Sequence, residues 1–143
     1  MSKDFNVLVD TSGSMAEDCK NAVVKYLLNT IVSYAELESK SYYLVGNQCT
    51  KVEDIVGLKI TYGGQLSVNA INDYFREIAE EDRTLLISDG CFDVDTEKSI
   101  SKHRNTVVCV AVGEDAMLSN LQRCSKNKRA YLAEDIIAAI AAC

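Results

Sequence analysis

Short apolar runs alternate with amphipathic stretches along the whole chain, and this alternation restricts the fold more than any other feature. Residues 5–9, 42–45, 84–87, 106–112 and 130–132 read as buried strands. Within residues 17–37, apolar side chains recur at positions 23, 27, 31 and 34, which is helical spacing. Val68, Ile71, Phe75 and Ile78 trace a second helical stripe. Residues 96–103, 115–123 and 134–142 read as shorter helices, the last with acidic residues in a first turn that favours negative charge. Residues 49–60 fit either a short edge strand or one helical turn, with Val52, Ile55 and Val56 as the apolar positions. Strands alternating with helices predict an α/β fold: a doubly wound, mostly parallel sheet with helices on both faces. The chain has 143 residues and no repeat, linker or low-complexity segment, so residues 1–143 are expected to form one domain.

Composition excludes several functions. No apolar run approaches the ~20 residues of a membrane span. Asp4 and Asn6 interrupt the start of the chain, so it does not read as a secretory signal. A net charge of −6 argues against nonspecific nucleic-acid binding. Six cysteines are present without Cys-x-x-Cys spacing. They read as reduced thiols of a cytoplasmic protein, with Cys109 as plain core.

The chemistry concentrates in Val9-Asp10-Thr11-Ser12-Gly13-Ser14-Met15. An Asp and two Ser hydroxyls recur at every second residue where a strand ends and a helix begins. Ser and Asp are also good helix caps, but a single capped helix does not need three spaced oxygens. Together they suit a hard divalent cation, since Mg²⁺ takes oxygen ligands at about 2.0–2.1 Å and keeps several waters. Parallel strands direct their carboxyl ends to one edge of the sheet, where open α/β sheets bind ligands. Asp89, in Leu86-Ile87-Ser88-Asp89-Gly90, directly follows another strand and is expected to lie beside Asp10.

These residues resemble the metal-ion-dependent adhesion site (MIDAS) of von Willebrand factor A domains, whose signature is Asp-x-Ser-x-Ser. The alternation of strands and helices matches that Rossmann-like fold over essentially the whole chain. The resemblance implies that Ser12 and Ser14 bind the ion directly, that Asp10 helps hold it through water, and that Asp89 belongs to the same site. The second loop of that site departs from the pattern: in Gly63-Gly64-Gln65-Leu66-Ser67, Gln65 stands where the family usually has Thr. Gln65 is then the candidate fifth ligand, offering an amide oxygen on a longer arm. Ser67 also carries a hydroxyl but is expected to cap the helix that follows. The implied cofactor is Mg²⁺, or Mn²⁺ or Ca²⁺ in its place. The implied partner is a protein presenting an Asp or Glu to the ion, in the manner of adaptors for AAA+ ATPase complexes or stress-response assemblies.

Other constellations carry less. Asp93 and Asp95 read as a solvated loop, and Arg123, Lys126, Lys128 and Arg129 as a solvated turn. His103 is the sole histidine and lies in a polar stretch, so Ser–His and Cys–His catalysis both depend on a residue away from the carboxyl edge. Cys91 lies near that edge, where carboxylates suppress its thiolate. No phosphate-binding Gly-x-x-x-x-Gly-Lys-Ser/Thr loop is present. The leading expectation is a non-enzymatic binding module. Two alternatives stand beside it: a metal-free assembly subunit with a decayed site, and a metal-assisted phosphoesterase using Asp10 and Asp89.

Overall fold

The computed structural model describes residues 4–34 and 40–143. Its strands are β1 (Phe5–Asp10), β2 (Lys40–Val45), β3 (Cys49–Val52), β4 (Arg83–Ser88), β5 (Val107–Ala111) and β6 (Ala130–Leu132). Its α-helices are α1 (Lys20–Ser33), α2 (Val68–Glu77), α3 (Val94–Ser101), α4 (Leu118–Cys124) and α5 (Ile136–Ala142). The strands form one sheet in the order β3-β2-β1-β4-β5-β6. Every neighbouring pair is parallel except β2 and β3. The doubly wound α/β expectation therefore holds.

All six residues of β1 are buried, as a strand covered on both faces must be. Alternate side chains feed two cores. Val7, Val9, Leu85, Ile87, Val108 and Val110 pack against Val24, Leu27, Leu28 and Ile31 of α1 and Ile136 and Ile140 of α5. On the other face, Leu8, Leu86, Val107 and Cys109 pack against Ile71 and Tyr74 of α2, Ile100 of α3 and Leu121 of α4. Tyr74 is fully buried because its hydroxyl meets Thr84 Oγ1 at 2.7 Å.

Of the ambiguous stretch 49–60, Cys49–Val52 form the antiparallel edge strand β3, whereas Ile55 and Val56 lie beyond it in neither strand nor helix. Only three residues separate Val45 from Cys49, and they are opposite each other in the register. A parallel return needs a crossover of a dozen or more residues, so a connection this short enforces a hairpin. The helix expected from residue 17 instead begins at Lys20. Gly13–Ala16 form a 3₁₀ turn, and Asp18 (φ 51°) and Cys19 (φ 61°) are left-handed, which excludes both from an α-helix. Residues 35–37 of that expected helix lie outside the described residues. The helices expected from residues 115 and 134 begin at Leu118 and Ile136. Ser67 caps α2 as expected: its hydroxyl accepts from the Ala70 backbone N–H at 3.1 Å. Asp93 and Asp95, read from the sequence as a solvated loop, instead start a helix: Asp93 caps α3, accepting from Thr96 N at 2.8 Å, and Asp95 lies in its first turn.

Candidate metal centre

Strand order reverses between β2-β1 and β4-β5, so the carboxyl ends of β1 and β4 flank the switch point at which doubly wound sheets bind ligands. In the register, Val9 pairs with Ile87. Asp10 therefore comes beside Ser88, and Asp89 emerges from the same edge. The Ser88 hydroxyl donates to Asp10 Oδ2 at 2.7 Å, and the Ser12 backbone N–H donates to Asp10 Oδ1 at 2.8 Å. The Ser12 and Ser14 hydroxyl oxygens lie 3.4 Å apart. The Cys91 backbone N–H donates to Asp89 Oδ1 at 3.0 Å.

The structure thus gathers Asp10, Ser12, Ser14 and Asp89 into one oxygen-rich cluster. Burial raises the Asp10 pKa, opposed by the bonds from Ser88 and Ser12 and reinforced by the Asp89 charge. Burial pushes Asp89 the same way, but the Cys91 N–H, the nearby Ser14 hydroxyl and Lys20 outweigh it and hold the pKa below its ordinary value. Although it stands at the carboxyl edge of the sheet, Asp10 is completely buried, with a fractional exposure of 0 %. Met15, in the 3₁₀ turn that follows the strand, is itself part of the core.

The Gly63-Gly64 loop is hydrogen-bonded to the first loop. Gly13 N donates to Gly64 O at 3.0 Å, and Gly63 N donates to Thr11 O at 2.9 Å. Gln65 is therefore carried to the edge of the cluster, but it is exposed and lines a cleft with Cys91, Phe92, Asp93 and Met117. Ser67 is committed elsewhere, since its hydroxyl also donates to Asn47 O at 3.2 Å.

Three residues of the cluster were missed in the sequence. Ser88 holds Asp10, as above. Lys20 is 1 % exposed, with its Nζ 3.0 Å from Asp89 Oδ2 and 2.9 Å from Asp115 Oδ1. Burial alone would lower the lysine pKa; the bonds to Asp115 and Asp89 reverse the sign and raise it. The sequence did hold a signal. Lys20 lies on the stripe of Val24, Leu27 and Ile31, the buried face of α1, where a lone charge requires a partner.

The donor set fits a small hard cation. Two neutral hydroxyls and two carboxylates are oxygen ligands of the type Mg²⁺ takes, and the 3.4 Å between the hydroxyls is near the roughly 2.9 Å between neighbouring ligands of an octahedral ion of that size. Among the described residues, no three His, Cys, Asp or Glu side chains form a metal-binding group, so any ion here depends on serine oxygens. A thiolate site is disfavoured, because burial and the Asp89 charge push the Cys91 thiol up to about 11. All six cysteines are free, and Cys109 is buried in the core. His103 lies between α3 and β5 at the opposite edge of the sheet, half-buried and stacked on Phe75 with ring centroids 3.8 Å apart.

Sheet order, helix placement and the oxygen cluster at the switch point define the class: the chain has the fold of von Willebrand factor A domains. No protein-family model and no curated protein matches it. Among solved structures, proximal thread matrix protein 1 from the mussel byssus, with a zinc-occupied MIDAS motif, aligns with a TM-score of 0.71 at 15 % identity over 96 % of this chain. The chain spans 44 % of that protein's length. BatB from Bacteroides thetaiotaomicron aligns at TM-score 0.66 and 13 % identity, covering 99 % of this chain and 98 % of that one. Manganese-loaded TRAP protein of Plasmodium vivax aligns at TM-score 0.61 and 17 % identity, covering 97 % of this chain and 72 % of that one. Among the described residues, no helix is long and apolar enough to cross a membrane.

Proposed function

We propose that this chain is a von Willebrand factor A-type protein-binding module whose Asp10, Ser12, Ser14 and Asp89 hold a divalent cation, Mg²⁺ or Mn²⁺, against an acidic residue of a partner protein. The observation that carries this reading is the convergence of those four side chains at the carboxyl ends of two adjacent parallel strands. The zinc-occupied site of the byssus protein and the manganese-loaded TRAP protein support a divalent ion on this fold.

Ser12 and Ser14 are the direct ligands in this reading. Asp10 and Asp89, each already accepting hydrogen bonds from the protein, hold the ion through water. When bound, the ion supplies an open coordination position that accepts a carboxylate oxygen. Two neutral direct ligands leave most of its positive charge unspent, which favours an anionic last ligand. The test is calorimetric titration with Mg²⁺ and Mn²⁺, followed by titration of an aspartate-containing peptide into the loaded protein. Peptide binding that requires the ion supports the proposal, and absence of heat with either ion ends it. A metal-independent assembly domain is the second reading. The Lys20–Asp89 ion pair favours it, because a cation is already built into the cluster.

Gln65 marks how strongly the site binds. A Gln amide must fix several torsions to coordinate, at about 1–2 kcal/mol of rotamer entropy, whereas a Thr hydroxyl sits close to its backbone. Since 1.4 kcal/mol corresponds to tenfold in affinity, Gln65→Thr is expected to tighten Mg²⁺ binding by up to about tenfold. Stability should change little, because Gln65 is exposed. Weaker Mg²⁺ binding by the Thr variant, in the same buffer, would make Gln65 a preferred ligand.

A further inference from the structure

Lys20 is built into the cluster by several independent features. It is the first residue of α1, directly after the two consecutive left-handed residues Asp18 and Cys19. Non-glycine residues adopt that conformation rarely, and two in succession are rarer still. Its stem passes against Gly113, where a Cβ would fall 2.5 Å from Lys20 Cε. Any side chain at 113 would therefore displace the lysine. The ammonium has three oxygen acceptors for its three N–H donors: Ser14 O at 3.2 Å, Asp89 Oδ2 at 3.0 Å and Asp115 Oδ2 at 3.2 Å, with Asp115 Oδ1 also 2.9 Å away. The Lys20 and Asp89 side chains are both 0 % exposed, whereas the Asp115 side chain is 54 % exposed.

Resting on the metal-binding reading, we propose that Lys20 is a tethered counter-cation that competes with the divalent ion for Asp89 and keeps the affinity of the site low. The ammonium brings a positive charge to the cluster and already holds an Asp89 oxygen, so a divalent ion entering beside it meets both repulsion and an occupied Asp89 oxygen. Asp115 gives the displaced ammonium a place to rest. It lies at the rim, already bonded to Lys20, so the lysine can let go of Asp89 without losing all its acceptors. Occupancy of the site then follows the free ion concentration instead of being permanent, and any partner that contributes a carboxylate to the ion shifts the same competition.

The experiment is a Mn²⁺ titration of the wild-type protein and of Lys20→Met, which keeps the stem and removes the charge, read by electron paramagnetic resonance of free Mn²⁺. Lys20→Met is expected to bind at least about tenfold more tightly. If wild type binds and the variant binds no more tightly, or loses binding with an unchanged circular dichroism spectrum, Lys20 merely positions Asp89 and the proposal is overturned. If neither binds Mn²⁺, the metal reading itself fails and the proposal falls with it. Binding by the variant alone supports the proposal in its strongest form. Removing one partner of a buried ion pair is destabilising, so a second measurement uses the intact protein. The Lys20 ammonium signal in a ¹H–¹⁵N spectrum is expected to shift and exchange faster with water at saturating Mg²⁺. An unchanged Lys20 signal under full Mg²⁺ occupancy overturns the competition.

Discussion

Asp10→Ala is expected to weaken Mn²⁺ binding on the order of a hundredfold and to destabilise the fold by about 1–3 kcal/mol. Asp10 is fully buried, and each of its oxygens accepts a hydrogen bond, from Ser12 N at 2.8 Å and from the Ser88 hydroxyl at 2.7 Å. Alanine leaves those buried donors without their acceptor. Part of that loss is offset, because burial disfavours the Asp10 charge and the Asp89 charge adds to this. Asp10→Asn separates the two effects. It preserves the shape and an acceptor oxygen while removing the charge, so metal binding should fall with a smaller loss of stability. Calorimetry with Mn²⁺ and urea denaturation measure the two quantities. Wild-type affinity in the alanine variant would remove Asp10 from the site.

Gly90→Ala is expected to destabilise the protein by on the order of 3 kcal/mol, or roughly 10 °C in Tm. Gly90 has φ +75°, and a Cβ there would meet the Met117 backbone oxygen at 2.7 Å and Leu121 Cγ at 3.1 Å. The left-handed conformation alone costs an L-residue about 1–2 kcal/mol. The clash adds to this because the obstacle is backbone: Met117 N is itself bonded to Asp89 O at 2.7 Å, so the two loops cannot separate freely. The same bond couples stability to function. Any shift that relieves Gly90 moves Asp89, and Mn²⁺ affinity should fall with the melting temperature. A thermal melt within about 2 °C of wild type would show that the loop yields more readily than this packing implies.

The parts of the fold that were legible in the sequence were those with a local cause. Buried parallel strands must be continuously apolar, so β1, β4 and β5 stand out by composition. Helix α2 stands out by its stripe, although Tyr74, the largest buried side chain of that helix, was hidden by its hydroxyl; only the partner Thr84 on β4 makes its burial tolerable. The start of α1 was misplaced by three residues because left-handed Asp18 and Cys19 carry no local signature, unlike glycine. In the candidate site, Asp10, Ser12 and Ser14 were legible from their alternate spacing, and Asp89 from its place after a strand. The pairings of Lys20 with Asp89, Ser88 with Asp10 and Asp115 with Lys20 were not, since the partners lie 69, 78 and 95 residues apart.

By itself the sequence determined the layered α/β architecture, the edge of the sheet at which the candidate site lies, and the oxygen-bearing residues gathered there. These depend on periodicity and on residue identity at strand ends, which local stereochemistry sets. Only the tertiary structure decided that Asp10 is sealed from solvent, that Gln65 stays exposed at the rim, and that a lysine shares Asp89. Burial and charge pairing are properties of what packs from distant segments, and no window of sequence contains them. The placing of one ammonium among the carboxyl groups of Asp10, Asp89 and Asp115 was therefore settled when α1 and the loop after β5 packed at the ends of β1 and β4.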